Sequence, residues 1–411
     1  MSNWLGRLGP GMMLAAAAVG VSHLVQSTRA GADYGLTFFW LIILIVVIKY
    51  PAFRFAVDYA SATGRSLVTG YARIGKIALA WLCVSFVIDM FIATSAVALV
   101  TAGLFISVFD LPFTGPQVAV AVMMLSALIL LNGQYSKAER IVKYLVLAFS
   151  ILAVVTTLLA LPHLGSDGRA LFAEITPSRG LAVFVIAVAG WMPVPLTGAV
   201  FQSIWVKERK AASGDSFDHA AALYDLKFGY GLSLLLALCF LVMGAAILFQ
   251  TDREIAASAG AFAAQLISIF TTVLGGWIYP LIALTAIAVM WSTLITLMDA
   301  VPRFFGRLFC IITGHGIDGP TYYTRYLVAQ VFGGAIILLF MMHNFGAFID
   351  FATGTGFIAA PAIAYYNYRA VMSAEVSPEY RPDKLLTAWN WLSVIAMVMF
   401  ATGFLWLRAT G

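Results

Sequence analysis

A few polar side chains interrupt the apolar stretches of this chain. The first stretch carries Ser22, His23 and Gln26 shortly after a run of alanines, with Gly20 just before them. An imidazole inside an apolar helix is a candidate for metal ligation, proton transfer or hydrogen bonding to a substrate. The alternative is a neutral imidazole that is hydrogen-bonded to a neighbouring helix. The pattern of residue types leaves these roles of His23 open.

A lone carboxylate lies in the middle of a later apolar stretch. Asp89 has no Lys or Arg within one helical turn. A carboxyl group in such surroundings is either protonated for much of the time or paired across helices. Asp89 is therefore predicted to be a proton-coupling group, and the alternative is a structural hydrogen bond.

Pro193 and Pro195 interrupt another apolar stretch, because each proline lacks a backbone donor and clashes with the preceding helical turn. Met192 precedes this break and Thr197 follows it. The Met192 thioether and the His23 imidazole are ligands that suit copper(I), zinc, iron or manganese better than magnesium or calcium. The sequence thus contains two interrupted helices that both carry candidate binding groups.

The composition indicates an all-α integral membrane protein. Of 411 residues, 62% are hydrophobic and 10% are charged, and the mean hydropathy is +0.94, whereas soluble domains carry roughly 25% charged residues. Several apolar runs exceed the length of about 20 residues that spans a bilayer as a helix. The formal charge of +5 is spread over loops, which excludes a nucleic-acid partner. Because the sequence has no nucleotide, cofactor or catalytic motif, neither an enzyme nor a cofactor is expected.

Eleven spans are predicted from the apolar runs and from the breaks between them. Their approximate limits are 11–30, 36–60, 78–104, 117–132, 140–161, 181–204, 228–249, 277–299, 324–342, 346–368 and 386–407. The apolar segment 255–275 is predicted to be a short, interrupted interfacial or re-entrant piece. Lys49 lies inside the second span, and Asp299 is expected to pair with Arg303 four residues later.

Most Lys and Arg residues fall in alternate loops, and this pattern indicates the orientation. The positive-inside rule predicts a cytoplasmic N-terminus and, after eleven crossings, an external C-terminus. The predicted location is the cell inner, or plasma, membrane, with the lipid bilayer as a permanent partner. The chain is expected to form one transmembrane domain, 1–411.

The two interrupted helices are the first and the sixth spans. They occupy corresponding positions in two units of five helices each. Because five is an odd number, the two units face opposite ways across the membrane. This arrangement is typical of inverted-repeat secondary transporters, in which two broken helices meet at the bilayer midplane. The repeats are predicted at about 11–161 and 181–368, followed by an extra helix at about 386–407.

Short motifs in these spans resemble the natural resistance-associated macrophage protein (Nramp) family. The motifs are Gly9-Pro10-Gly11, Ala30-Gly31-Ala32, Asp89, and Ala189 followed by Met192-Pro193. The resemblance implies a LeuT-type fold with a 5+5 inverted repeat, and proton-coupled transport of a divalent metal ion. It also implies that the Ala189 carbonyl and the Met192 thioether are metal ligands and that Asp89 lies on the proton route.

The chain departs from the family at the first span. The family's metal-binding Asp and Asn are replaced by Gly20 and His23. A dehydrated divalent ion needs negative charge nearby, so this replacement weakens the expected metal site.

Three hypotheses about function follow, and proton-coupled transport of a divalent metal ion leads. In the second, the positive helix ends at the breaks receive a small organic anion or amino acid, with Ser22, Gln26 and Thr197 as hydrogen-bonding partners. In the third, the chain is a non-transporting membrane sensor or scaffold.

Overall fold

A computed structural model describes residues 9–132, 135–165, 168, 170–213, 217–251, 256, 258–314, 322–341 and 344–409. Among these residues, eight helices are long and apolar enough to cross a membrane, and three shorter apolar helices accompany them. One of the shorter helices is the fourth span. With the two broken spans, the described part of the chain contains the eleven predicted spans.

The bounds of the spans are as follows, and the halves of broken spans are called a and b. They are span 1a (Pro10–Ala18) and 1b (Val21–Ser27 with Thr28–Tyr34), span 2 (Phe39–Thr63), span 3 (Lys76–Ile88, Asp89–Ala93 and Thr94–Phe109), span 4 (Gly115–Leu131), span 5 (Tyr135–Ala160), span 6a (Arg179–Trp191) and 6b (Gly198–Ser213), span 7 (His219–Ile247), span 8 (Tyr279–Thr313), span 9 (Tyr323–Ile336 with Ile337–Met341), span 10 (Phe345–Val371) and span 11 (Lys384–Ala409).

Two further helices lie between the spans. Leu67–Ile74 connects spans 2 and 3 and was not predicted from the sequence. Ala259–Leu274 is one continuous helix of 16 residues, so the predicted interruption of this segment is absent. It packs against span 3 so closely that a Cβ on Gly103 would lie 2.4 Å from the Ala259 carbonyl oxygen.

Local signals start several of the spans. Span 4 begins with a capping box, in which Thr114 and Gln117 satisfy each other's backbone donors. Ser178 caps span 6a by accepting from the Leu181 N–H, and Asp218 caps span 7 by accepting from the Ala221 N–H. Such side-chain oxygens satisfy donors that the first helical turn leaves free.

The interior is divided into two hydrophobic clusters. One holds buried residues of spans 2, 6, 10 and 11 with the first half of span 3. The other holds residues of spans 4, 5 and 8, the second half of span 3 and the helix Ala259–Leu274. Spans 1, 7, 8 and 10 contribute to both clusters, and the break in span 1 lies where the clusters meet.

Glycines allow span 1a to lie directly on span 7. A Cβ on Gly229 would come within 2.0 Å of the Gly11 carbonyl oxygen, so only glycine fits this approach. Oδ1 and Oδ2 of Asp225 accept the N–H groups of Gly9 and Gly11 at 2.9 and 2.6 Å. A carboxylate at a helix N-terminus satisfies free donors and complements the helix dipole.

Cationic side chains gather at one end of the bundle, called here the basic end. Contacts link the end of span 2 to span 6b through Lys210 and Ser61, and span 6b to span 8 through Glu208 and Arg307. Arg65 and Arg73 both pair with Glu375, which follows span 10. The predicted pair of Asp299 and Arg303 is confirmed, with 2.7 Å between Oδ2 and Nε.

Candidate functional site

Span 1 is interrupted where the sequence predicts it. The first half ends at Ala18, and the chain resumes at Val21 as a π-helical segment that runs to Ser27. Gly20 lies between the halves, and a Cβ placed on it would be 3.3 Å from Cγ2 of Thr293 in span 8. A side chain at position 20 would therefore point toward span 8.

Span 6 is interrupted because its prolines cannot continue the helix. The first half ends at Trp191 and the second begins at Gly198. Pro193 and Pro195 have no N–H to donate to the carbonyls of Ala189 and Trp191. The break thus exposes backbone carbonyls in the middle of the protein.

The two breaks contact each other directly. The Ser22 hydroxyl lies 3.1 Å from the Pro193 carbonyl oxygen, and it also lies 3.0 Å from the Ala18 carbonyl oxygen. Ser22 is 4% exposed. This short polar side chain therefore joins the breaks of spans 1 and 6.

A cavity of about 80 Å³ lies beside the breaks. Its polar lining residues are Ser22, Asp89, Thr293 and Thr296, and its aromatic lining residues are Trp191, Phe201 and Trp205. The remaining lining residues are apolar side chains, Pro195 and Gly198, contributed by spans 1, 3, 6 and 8. Because Trp205 of span 6b and Ala300 of span 8 lie between the breaks and the basic end, the cavity extends from the breaks toward that end.

Asp89 is the acidic residue that the described chain contributes to this cavity. It is buried and begins the π-helical turn Asp89–Ala93 in span 3. The Thr197 hydroxyl donates a hydrogen bond to its Oδ2 atom. The structure therefore brings together Asp89 and Thr197, which are 108 positions apart, although Thr197 itself does not line the cavity. π-Helical turns within helices occur frequently at functional sites.

His23 lies outside the cavity lining and points to span 7. Its Nε2 is 2.8 Å from the Ser233 carbonyl oxygen, and its Nδ1 is 2.9 Å from the Ser22 hydroxyl. The carbonyl can only accept, so Nε2 carries the proton that forms this bond. The observed geometry matches the structural alternative, an imidazole bonded to a neighbouring helix.

Gln26 belongs to a polar network on the opposite side of the breaks from the basic end. Its amide nitrogen donates to Asp350 and to Thr353 of span 10, at 3.0 Å each. Arg29 pairs with Asp350 at 2.7 Å and lies over the ring of Phe184 in span 6a. Gln26 thus joins spans 1b and 10 and does not line the cavity.

Ala189 and Met192 are buried but do not line the cavity. The described residues contain no group of three or more His, Cys, Asp or Glu side chains that could hold a metal ion. A metal ion in the cavity would therefore meet one carboxylate, three hydroxyl groups and backbone carbonyls.

Lys49 is a residue of the site to which the sequence analysis assigned no role. It is wholly buried in span 2, and its Nζ lies 2.8 Å from the Gly190 oxygen and 3.3 Å from the Val194 oxygen. The signal for it was a single lysine within an apolar span, but the sequence does not show where that lysine points. Trp191, Phe201 and Trp205 were likewise missed, since aromatic residues are common throughout the chain.

Eleven spans, two of them broken and meeting beside a central cavity, define a multi-pass membrane transporter with the LeuT-type fold. The chain belongs to the Nramp family: the family model described as natural resistance-associated macrophage protein-like matches residues 11–407. It is also 32% identical over 412 residues to the uncharacterized protein PM0681 of Pasteurella multocida (strain Pm70), covering 98% of this chain and 92% of that protein.

Solved structures support the fold at low sequence identity. A crystal structure of a mutant manganese transporter from Eremococcus coleocola is similar with a TM-score of 0.63 and 16% identity, covering 98% of this chain and 87% of that one. The inward-facing conformation of Mhp1 is similar with a TM-score of 0.60 and 13% identity, covering 98% and 90%. A closed conformation of Mhp1, a nucleobase-cation-symport-1 family transporter with bromovinylhydantoin bound, reaches 0.55 at 15% identity, covering 98% and 93%.

Proposed function

We propose that this chain is a secondary-active transporter that moves a divalent metal ion and couples its movement to protons through Asp89. The observation that carries the proposal is the position of Asp89, a buried carboxylate that lines the cavity beside both helix breaks. Membership of the Nramp family supports a metal ion as substrate, as does the fold shared with a manganese transporter.

The metal site proposed here differs from that implied by the family resemblance. With Gly20 in place of an acid, Asp89 supplies the negative charge, and Ser22, Thr293 and Thr296 supply hydroxyl oxygens. One carboxylate offsets only part of the cost of dehydrating a divalent ion. The ion is therefore expected to retain water molecules and to bind weakly, which suits rapid release.

Asp89 can exchange a proton for the metal ion because both compete for the same carboxylate. The Thr197 hydroxyl donates to one carboxylate oxygen, which leaves the other for the cavity. A proton on Asp89 removes the negative charge that attracts the ion. Movement of the metal ion is thereby coupled to movement of protons at the Asp89 carboxylate.

Transport in proteoliposomes tests this proposal. Wild-type protein is expected to take up Mn²⁺ and to change the internal pH at the same time, and Asp89→Asn is expected to abolish both signals. Asp110→Asn is the matched control, because Asp110 lies at the exposed end of the same span. Metal transport would be refuted if wild-type protein showed neither binding heat nor uptake with Mn²⁺, Fe²⁺ and Zn²⁺.

A small organic solute is the second candidate, and the aromatic lining favours it. Trp191, Phe201 and Trp205 present rings to the cavity, and ligand pockets are typically apolar with a few polar groups. A ligand that binds only the folded state raises thermal stability. Stabilisation by an amino acid or an organic anion, but not by metal ions, would favour this candidate, and no stabilisation by any solute would favour a scaffold role.

The orientation is proposed from charge. The basic end, with Arg54, Arg65, Arg73 and Lys210, is assigned to the cytoplasm by the positive-inside rule. This assignment puts the N-terminus in the cytoplasm and the C-terminus outside the plasma membrane. The orientation is tested with the single-cysteine variants Arg65→Cys and Asp110→Cys, labelled on intact cells with an impermeant reagent. Only the cysteine at position 110 should react.

A further inference from the structure

Lys49 is a buried basic side chain that the transport proposal does not use. It lies in span 2 with no exposed surface, and its Nζ contacts the carbonyl oxygens of Gly190 and Val194 at 2.8 and 3.3 Å. The Gly190 carbonyl lies in the last turn of span 6a, and the Val194 carbonyl lies within the break that follows it. The side chain therefore joins span 2 to the end of span 6a and to the break itself.

The break itself makes one of these carbonyls available. In a continuous helix the Gly190 carbonyl would accept the N–H of Val194, four residues later. Because span 6a ends at Trp191, that bond is replaced by the bond from Lys49. Backbone carbonyls are also the groups that coordinate hard cations in proteins. The Lys49 amino group thus occupies carbonyl oxygens that a transported cation could otherwise use.

The Lys49 amino group has no carboxylate partner among the described ion pairs. Among the residues that the structure describes, no ion pair joins a carboxylate oxygen to Nζ of Lys49 within 4.0 Å. Gly20, at the facing break, carries no charge either. The acid of the cavity is Asp89, on the wall formed by span 3.

We infer that Lys49 is a tethered cation that fills the span 6 half of the site and confines a transported cation to the Asp89 wall. It is a positioning and specificity-determining residue, and the inference rests on the cation transport proposed above. Two positive charges repel each other strongly at short range in a low-dielectric interior. Lys49 accordingly lowers the affinity of the site for cations and favours their release.

Binding of Mn²⁺ to full-length protein in nanodiscs, measured by calorimetry, tests the inference. Lys49→Met removes the charge, and it is expected to bind Mn²⁺ more tightly than wild-type protein by about tenfold or more. Lys49→Arg keeps the charge and should bind like the wild type. Lys210→Met is the matched control, because Lys210 also donates to a carbonyl, that of Ser61 at 2.9 Å, but lies at the basic end.

The outcomes separate an electrostatic role from a structural one. The inference is overturned if the Lys49→Met variant folds but binds Mn²⁺ no more tightly than wild-type protein. It is also overturned if Lys49→Arg increases the affinity for Mn²⁺ as much as Lys49→Met does. If Lys49→Met does not fold, Lys49→Gln is judged by the same criterion, and failure of both to fold assigns Lys49 a purely structural role. The cation transport proposal fails separately, on the absence of Mn²⁺ uptake by wild-type protein.

Discussion

Nη1 of Arg29 in span 1b lies 2.7 Å from Oδ1 of Asp350 in span 10, on the side of the helix breaks away from the basic end. Both side chains are largely buried, with 14% and 18% of their surfaces exposed. Gln26 donates to the same Asp350 oxygen. The cavity extends in the other direction, and neither Arg29 nor Asp350 lines it.

Asp350→Asn should make the cavity more accessible from the side of Arg29, because it removes the ion pair between spans 1b and 10. Loss of a charged hydrogen bond costs roughly 1.5–3 kcal/mol, which shifts the opening equilibrium by about tenfold or more. A cysteine at Val97, which lines the cavity, should react faster with an impermeant maleimide added on the side of Arg29. Asp110→Asn should leave the rate unchanged, and an equal rate in both variants would show that the pair is not a gate.

Asp225→Asn should loosen span 1a. The N–H groups of Gly9 and Gly11 bond to different carboxylate oxygens, so the NH₂ group of an amide would replace one acceptor with a donor. Protection of residues 9–18 against hydrogen exchange is expected to fall by roughly 1–3 kcal/mol. Asp218→Asn, which changes an exposed cap of the same span 7, should not alter protection in this segment.

Gly20→Asp should increase the affinity for Mn²⁺. The new carboxylate would extend from the break toward Thr293, and only the Thr293 methyl group, 3.3 Å from the added Cβ, needs to shift slightly. An acid near a divalent ion in a low-dielectric site should strengthen binding by about tenfold or more. Gly20→Asn matches the size without the charge, so equal tightening by both variants would contradict the electrostatic explanation.

Gly190→Ala should destabilise the protein severely. A Cβ there would lie 1.8 Å from the Thr353 carbonyl oxygen, so span 6a could not stay against span 10. Overpacking of this kind typically costs about 1–3 kcal/mol, and a backbone atom cannot move aside as a side chain can. Gly354→Ala is the control, because nothing lies within 4 Å of its added Cβ. Thermal unfolding should separate the two variants clearly.

Local signals in the sequence were sufficient to predict the spans, the two breaks and one ion pair. Apolar run length determines which helices can cross a bilayer, and proline removes a backbone donor wherever it occurs. The pair of Asp299 and Arg303 follows from helical spacing alone. These features depend on residues within a few turns of each other, so they can be derived without the fold.

Only the tertiary structure decided which candidate side chains reach the cavity. Ser22 and Asp89 line it, whereas His23 turns to Ser233, which is 210 positions away. Lys49 meets Gly190 across 141 positions. The direction of a side chain beside a broken helix depends on which distant helix packs against it, and a linear pattern carries no information about that contact.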